Sequence, residues 1–83
     1  MRTQYTKAEK AQRALNLSQG EFALERLVAF DYRVSQFSEY HFRVNERLDI
    51  WPTSKKYYDQ KTMRKGEYDD LEDFVKEFLP FNK

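Results

Sequence analysis

Two periodicities share this sequence. Apolar residues fall at helical spacing up to Tyr32 and after Asp70, and they alternate with polar ones between those points. Thr6-Lys7-Ala8-Glu9 and Ser18-Gln19-Gly20-Glu21 both have capping-box form. In that form the first hydroxyl accepts from the backbone N–H three residues on, and the Glu side chain reaches back. They predict a short helix over about 7–16 and a longer one over about 19–33, or one helix bent near Gly20. Leu24, Leu27 and Val28 make an i, i+3, i+4 stripe, with Ala23 and Phe30 beside it. The first segment has only Ala8, Ala11 and Leu15 to bury, so residues 1–17 read as a loosely held helical arm.

After Tyr32 the period shortens. Tyr40, Phe42 and Val44 alternate with His41 and Arg43, and Leu48 and Ile50 resume the alternation around Asp49. Asn45-Glu46 between them reads as a two-residue turn, giving a hairpin of about 38–44 with 47–51. Pro52 ends hydrogen bonding or lies on an edge. Lys56-Tyr57-Tyr58 reads as a third, short, edge strand, and Met63 to Gly66 as a turn with Gly66 at positive φ.

The last element has the strongest pattern. Leu71, Phe74, Val75, Phe78 and Leu79 form an unbroken apolar stripe, Asp69 or Asp70 can cap it, and Pro80 stops it. The expected fold is a single α+β domain over 1–83: an N-terminal helix or helix pair, a three-stranded antiparallel meander and a C-terminal amphipathic helix.

Length and composition narrow the chemistry. A chain of 83 residues has a modest core, and with no cysteine it has no disulfide or thiolate metal site to support it. His41 is the single histidine, so no histidine metal site forms unaided and no cofactor is implied. Aromatic packing, from residues making up 17% of the chain, is the main remaining source of stability, and homodimerisation is another. No apolar run is long enough to span a membrane, and absence of cysteine fits a reducing compartment, so a cytoplasmic location is expected.

Net charge is +1, but its distribution is uneven. Residues 53–66 carry Lys55, Lys56, Lys61, Arg64 and Lys65 against Asp59, a net +4. Residues 67–79 carry six acids against Lys76, a net −5. No catalytic constellation stands out. His41 between Glu39 and Arg43 fits a plain strand surface better than an acid–base pair. Asp69, Asp73 and Glu77 share one helical face, which suits a solvated surface better than a cation site.

The segment from Trp51 to Gly66 is the candidate site. It interleaves the rings of Trp51, Tyr57 and Tyr58 with Lys55, Lys56, Lys61, Arg64 and Lys65. Cations that neutralise phosphates and rings that stack bases are what single-stranded nucleic acid requires. Trp, Tyr and Arg are also the usual anchors of protein interfaces. The plainer reading places Trp51 and one tyrosine in the core and leaves the lysines as a solvated edge. Tyr57 and Tyr58 face opposite ways on a strand, so at most one packs inward. The acidic segment beside it either repels phosphate, imitates nucleic acid toward a basic partner, or is only a soluble helix face.

These residues also carry a resemblance. Arg43-Val44-Asn45, Leu48-Asp49-Ile50-Trp51-Pro52-Thr53, Lys56-Tyr57-Tyr58-Asp59 and Lys65-Gly66 resemble the hairpin region of small phage and prophage proteins. The resemblance covers about residues 38–68 and implies a viral or mobile-element origin. Small proteins of that origin often act stoichiometrically on host machinery, anti-CRISPR and other anti-defence inhibitors among them. It implies a non-catalytic protein, in the host cytoplasm, that engages or inhibits a host nucleic-acid-processing or defence complex. A small nucleic-acid-binding protein using the same residues is the other reading.

Overall fold

The computed structural model of the chain describes residues 6–80. The elements are α1 (Lys7–Ala29), β1 (Val34–Ser38), β2 (His41–Val44), β3 (Leu48–Trp51), β4 (Lys56–Asp59), β5 (Lys65–Glu67) and α2 (Leu71–Phe78). The strands form one antiparallel sheet in chain order, β1 to β5.

The expected α+β order of helix, meander and helix is present, but the sheet has five strands and not three. β1 is polar and mostly exposed, so it has no alternation to read. β5, Lys65-Gly66-Glu67, carries no apolar side chain at all. Consequently β4 is an inner strand rather than an edge. The stretch 38–40 expected at the start of β2 is instead the end of β1 and the turn after it.

α1 runs 23 residues without a break, so no second helix starts at Ser18. The capping box at Thr6 is formed: Glu9 N donates to Thr6 Oγ1, and Thr6 N to Glu9 Oε1. Gly20 serves packing and not bending, because a Cβ there would lie 2.5 Å from Pro52 Cβ. The helix ends at Ala29, short of the expected 33, in a Schellman motif. Asp31, at φ 71°, lets Tyr32 N reach Leu27 O while its own N–H reaches Val28 O. Residues 1–5 of the expected arm lie outside the described residues. From 7 to 17 the chain is the first half of α1, tied to Thr53 by Arg13 and Asn16.

Both helices pack on one face of the sheet. Leu24 and Leu27 from α1 meet Phe42, Val44, Leu48 and Ile50 from the sheet and Leu71, Val75 and Leu79 from α2. Val28, expected in the stripe, and Phe30, expected beside it, are exposed, at 53% and 45%. The Tyr32 hydroxyl donates to Leu79 O at 2.7 Å, joining the end of α1 to the end of α2. Arg26 Nε donates to Glu72 Oε1 at 2.6 Å, and Lys76 Nζ to Glu72 Oε2 at 2.8 Å. Those two cations draw the Glu72 carboxyl down to about 2.

The β2–β3 turn sets the register on which the site depends. The two-residue turn expected at Asn45-Glu46, where both residues have positive φ, is a three-residue loop set by the pairing Val44↔Leu48. Alternation demands it. Phe42 and Val44 share a face with Leu48 and Ile50 only in this register, and a slip of one would turn Leu48 outward. The extra residue, Arg47, is thereby released to reach Asp59.

Candidate binding surface on the helix-free sheet face

Period-2 geometry sends every second strand residue away from the helices. The pairings His41 opposite Trp51, Arg43↔Asp49, Asp49↔Tyr58, Trp51↔Lys56, Tyr58↔Lys65 and Lys56↔Glu67 then gather a second, polar and aromatic layer. No described helix covers this face.

Asp49 organises it. Although it lies on the helix-free face, Asp49 is only 3% exposed. Arg43 Nε donates to Oδ1 at 2.7 Å and His41 Nε2 to the same oxygen at 3.0 Å, while Gln60 Nε2 donates to Oδ2. Burial works to raise the carboxyl pKa, but the donors from Arg43, His41 and Gln60 outweigh it and hold Asp49 below its ordinary value. The bond fixes the His41 ring, which lies against the Trp51 indole with centroids 4.6 Å apart and planes 12° from parallel. Phe37 closes the row: its ring is 5.2 Å from that of His41 and carries the Arg43 guanidinium at 4.5 Å. His41 therefore pairs with Asp49, not with the neighbouring Glu39.

On the other side of Trp51 lies a groove of about 590 Å³, lined by Trp51, Ser54, Lys56, Tyr57, Tyr58, Lys65, Gly66 and Glu67. Of the residues singled out in the sequence, it brings together Trp51, Lys56, Tyr57, Tyr58 and Lys65. The two tyrosines do face opposite ways. Tyr57 packs inward on Phe74 and Phe78, with centroids 4.6 and 5.7 Å away, and Tyr58 stands on the helix-free side.

Three expected members lie elsewhere. Lys55, at φ 54°, turns toward α2 and donates to Asp69 O at 3.2 Å, in a cleft between α1 and the β5–α2 connection. Lys61 and Arg64 are exposed on the β4–β5 loop, at the far end of β4 from Trp51. That loop is built on Asp59, which is fully buried. Arg47 grips it through two nitrogens, at 2.7 and 3.0 Å, and it accepts from Lys61 N, Thr62 N and Thr62 Oγ1. Arg47 foremost, then Thr62 and the Lys61 amide, overcome burial and hold the Asp59 carboxyl far below the usual range. The positive φ of this loop falls at Met63 (61°), not at Gly66. Gly66 sits in β5, where a Cβ would come within 3.0 Å of the Tyr57 ring.

Phe37, His41, Arg43 and Asp49 were not singled out as site residues. Register was the missing signal: once Val44 is set opposite Leu48, Arg43 falls opposite Asp49 and His41 opposite Trp51.

The sheet stands between the α2 carboxylates and the Lys56 and Lys65 pair, while Glu67 of the acidic block lies cross-strand from Lys56. The carboxylates of α2 lie on the helix-covered side, and Lys56 and Lys65 on the other. Among the described residues no three His, Asp or Glu side chains form a metal site. No described helix is long and apolar enough to cross a membrane. No family model matches the chain, and no curated protein or solved structure matches it.

Proposed function

We propose that this is a non-catalytic, phage-type binding protein whose helix-free sheet face docks on a host nucleic-acid-processing or defence complex in the cytoplasm. One observation carries the reading: the face gathers Phe37, His41, Trp51 and Tyr58 with Arg43, Lys56 and Lys65, while the acidic helix stands behind the sheet. Rings that are half-buried or, like Phe37, exposed, framed by cations, suit the role of interface anchors. The Asp49 network presets the Arg43, His41 and Trp51 conformations, so little side-chain entropy is lost on docking.

Affinity capture from a bacterial lysate tests it, using the chain beside its Lys56→Glu/Lys65→Glu variant. A complex retained by the first and lost by the second is expected; identical recoveries from both would overturn the proposal.

The second reading is direct nucleic-acid binding. It is favoured by the position of Trp51, one ring face against His41 and the other toward the groove that holds Lys56 and Lys65.

A further inference from the structure

Trp51 stands between two different neighbours. His41, on β2, covers one face of its indole at 4.6 Å. β4 runs on the opposite side of β3, so the remaining ring face looks across the groove toward Lys56 and Tyr58. Trp51 lines the groove, so the indole face that His41 leaves uncovered is the aromatic surface it offers there. An uncovered indole face on a groove wall offers stacking to a flat ring. The groove's volume of about 590 Å³ falls inside the usual range for small-ligand sites, ~300–1,000 Å³.

The rim indicates what is attached to that ring. Lys56 and Lys65 line the groove, and neither forms an ion pair among the described residues. Glu67, cross-strand from Lys56, is the one carboxylate of the lining, which leaves the groove net positive. A carboxylate on the rim is compatible with the N–H donors on a base edge. Apart from Glu67, the acidic block does not line the groove, and the carboxylates carried by α2 do not oppose this field from the front, since α2 packs behind the sheet. A ring that needs stacking and carries anionic links matches the net positive groove: it is a nucleobase on a phosphate backbone.

We infer that the groove between Trp51 and the β4–β5 hairpin takes an unstacked base of a single-stranded nucleic acid, with Lys56 and Lys65 meeting its phosphates. This rests on the reading of the helix-free face as the contact surface, and names what that face holds within a host complex. A duplex presents no free base face, so it is a poor occupant.

Trp51 is the single tryptophan of the chain, so intrinsic fluorescence reports on the slot directly. The probes are single-stranded DNA and RNA of roughly ten nucleotides, within the site size of sheet-face binders, and the corresponding duplex. Saturable quenching by a single strand is expected, with log affinity falling linearly in log salt. The slope should flatten by about 0.7 for each of Lys56→Gln and Lys65→Gln. Trp51→Leu, followed by anisotropy of a labelled strand, should weaken binding about tenfold to a hundredfold. Because both lysines are exposed, their variants keep the fold and the reporter, so the test stands even if Trp51→Leu fails to fold. The DNA and RNA arms identify the source. Absence of quenching by either strand, quenching by duplex alone, or a salt slope unmoved by both lysine variants would overturn the inference. If lysate capture is still lost in the Lys56→Glu/Lys65→Glu variant, the contact face stands with a protein as partner. If capture is also unmoved, both readings fall.

Discussion

The imidazole of His41 lies 4.6 Å from the indole of Trp51 and nearly parallel to it, and Asp49 holds it there. Two strands and the loop after a third contribute to that relationship: Arg43 and His41 from β2 and Gln60 just after β4 all donate to one carboxylate on β3. A charged residue between Leu48 and Ile50 looks like simple strand alternation. In the folded chain it orients the aromatic row on the helix-free face.

Asp49→Ala should therefore act on both stability and the face. Removing the carboxylate loses three hydrogen bonds to a charged group, at ~1.5–3 kcal/mol each, but also relieves its burial, so a net cost of about 2–3 kcal/mol is expected. Urea denaturation measures the loss, and a red-shifted Trp51 emission should accompany it as His41 is released. An unchanged emission maximum would mean that His41 does not depend on Asp49.

Breaking the Arg47–Asp59 pair should be costlier. Asp59 is fully buried, so Arg47→Ala leaves an uncompensated charge inside the β4–β5 loop. A loss of about 3 kcal/mol is expected, read from the denaturant midpoint. A change below about 1 kcal/mol, the range of exposed pairs, would contradict the assignment.

Acid sensitivity follows from the same groups. Asp49, Asp59 and Glu72 all have folded pKa values below their ordinary ones. A depressed folded value means stability that is fully present above the unfolded value, about 4, and is lost as pH falls through the folded one. The melting temperature should be insensitive to these carboxylates from neutral pH to about pH 5 and drop below about pH 4. Asp59→Asn should flatten the acid limb. An acid limb as steep as that of the parent chain would argue against the role given to Asp59.

Gly20 and Gly66 should both resist alanine, for different neighbours. Gly20→Ala improves helix propensity by up to ~1 kcal/mol, yet its methyl meets the rigid Pro52 ring at 2.5 Å. A net destabilisation of about 1–2 kcal/mol is expected on thermal melting, since overpacking costs ~1–3 kcal/mol. Gly66→Ala presses on the Tyr57 ring at 3.0 Å, which can give by a small rotation, so the cost should be smaller. If Gly20→Ala stabilises the chain, the α1–Pro52 contact is not as close as described.

The sequence spoke clearly where one physical signal dominates. The stripe from Leu71 to Leu79 and the Thr6 capping box are found in the fold, and a turn falls at Asn45-Glu46, though in a three-residue loop. That Tyr57 and Tyr58 face opposite ways follows from strand alternation; which of them turns inward is set by the register that pairs Tyr57 with Ile50. Strands without alternation went unread: β1 is a polar edge strand, and β5 is held by its pairing with β4 rather than by burial. Ser18-Gln19-Gly20-Glu21 has the form of a helix start but sits inside α1, where backbone hydrogen bonding continues across it. The turn signal at Gly66 was displaced to Met63, because the side chain of Asp59 supplies the hydrogen bonds that shape the loop. Of the residues that composition singled out, Trp51, Lys56, Tyr57, Tyr58 and Lys65 line one groove. Lys55, Lys61 and Arg64 show that neighbours in sequence do not share a face once a turn intervenes.

The claim that the helix-free face is the contact surface is tested most directly by amide and indole resonances of the labelled chain titrated with a single-stranded oligonucleotide. The account predicts that the Trp51 indole N–H shifts first and furthest, with Lys56, Tyr58, Lys65 and Glu67 following, and that 71–79 stays in place. Shifts concentrated on α1 or α2, with the Trp51 indole unmoved, would contradict it.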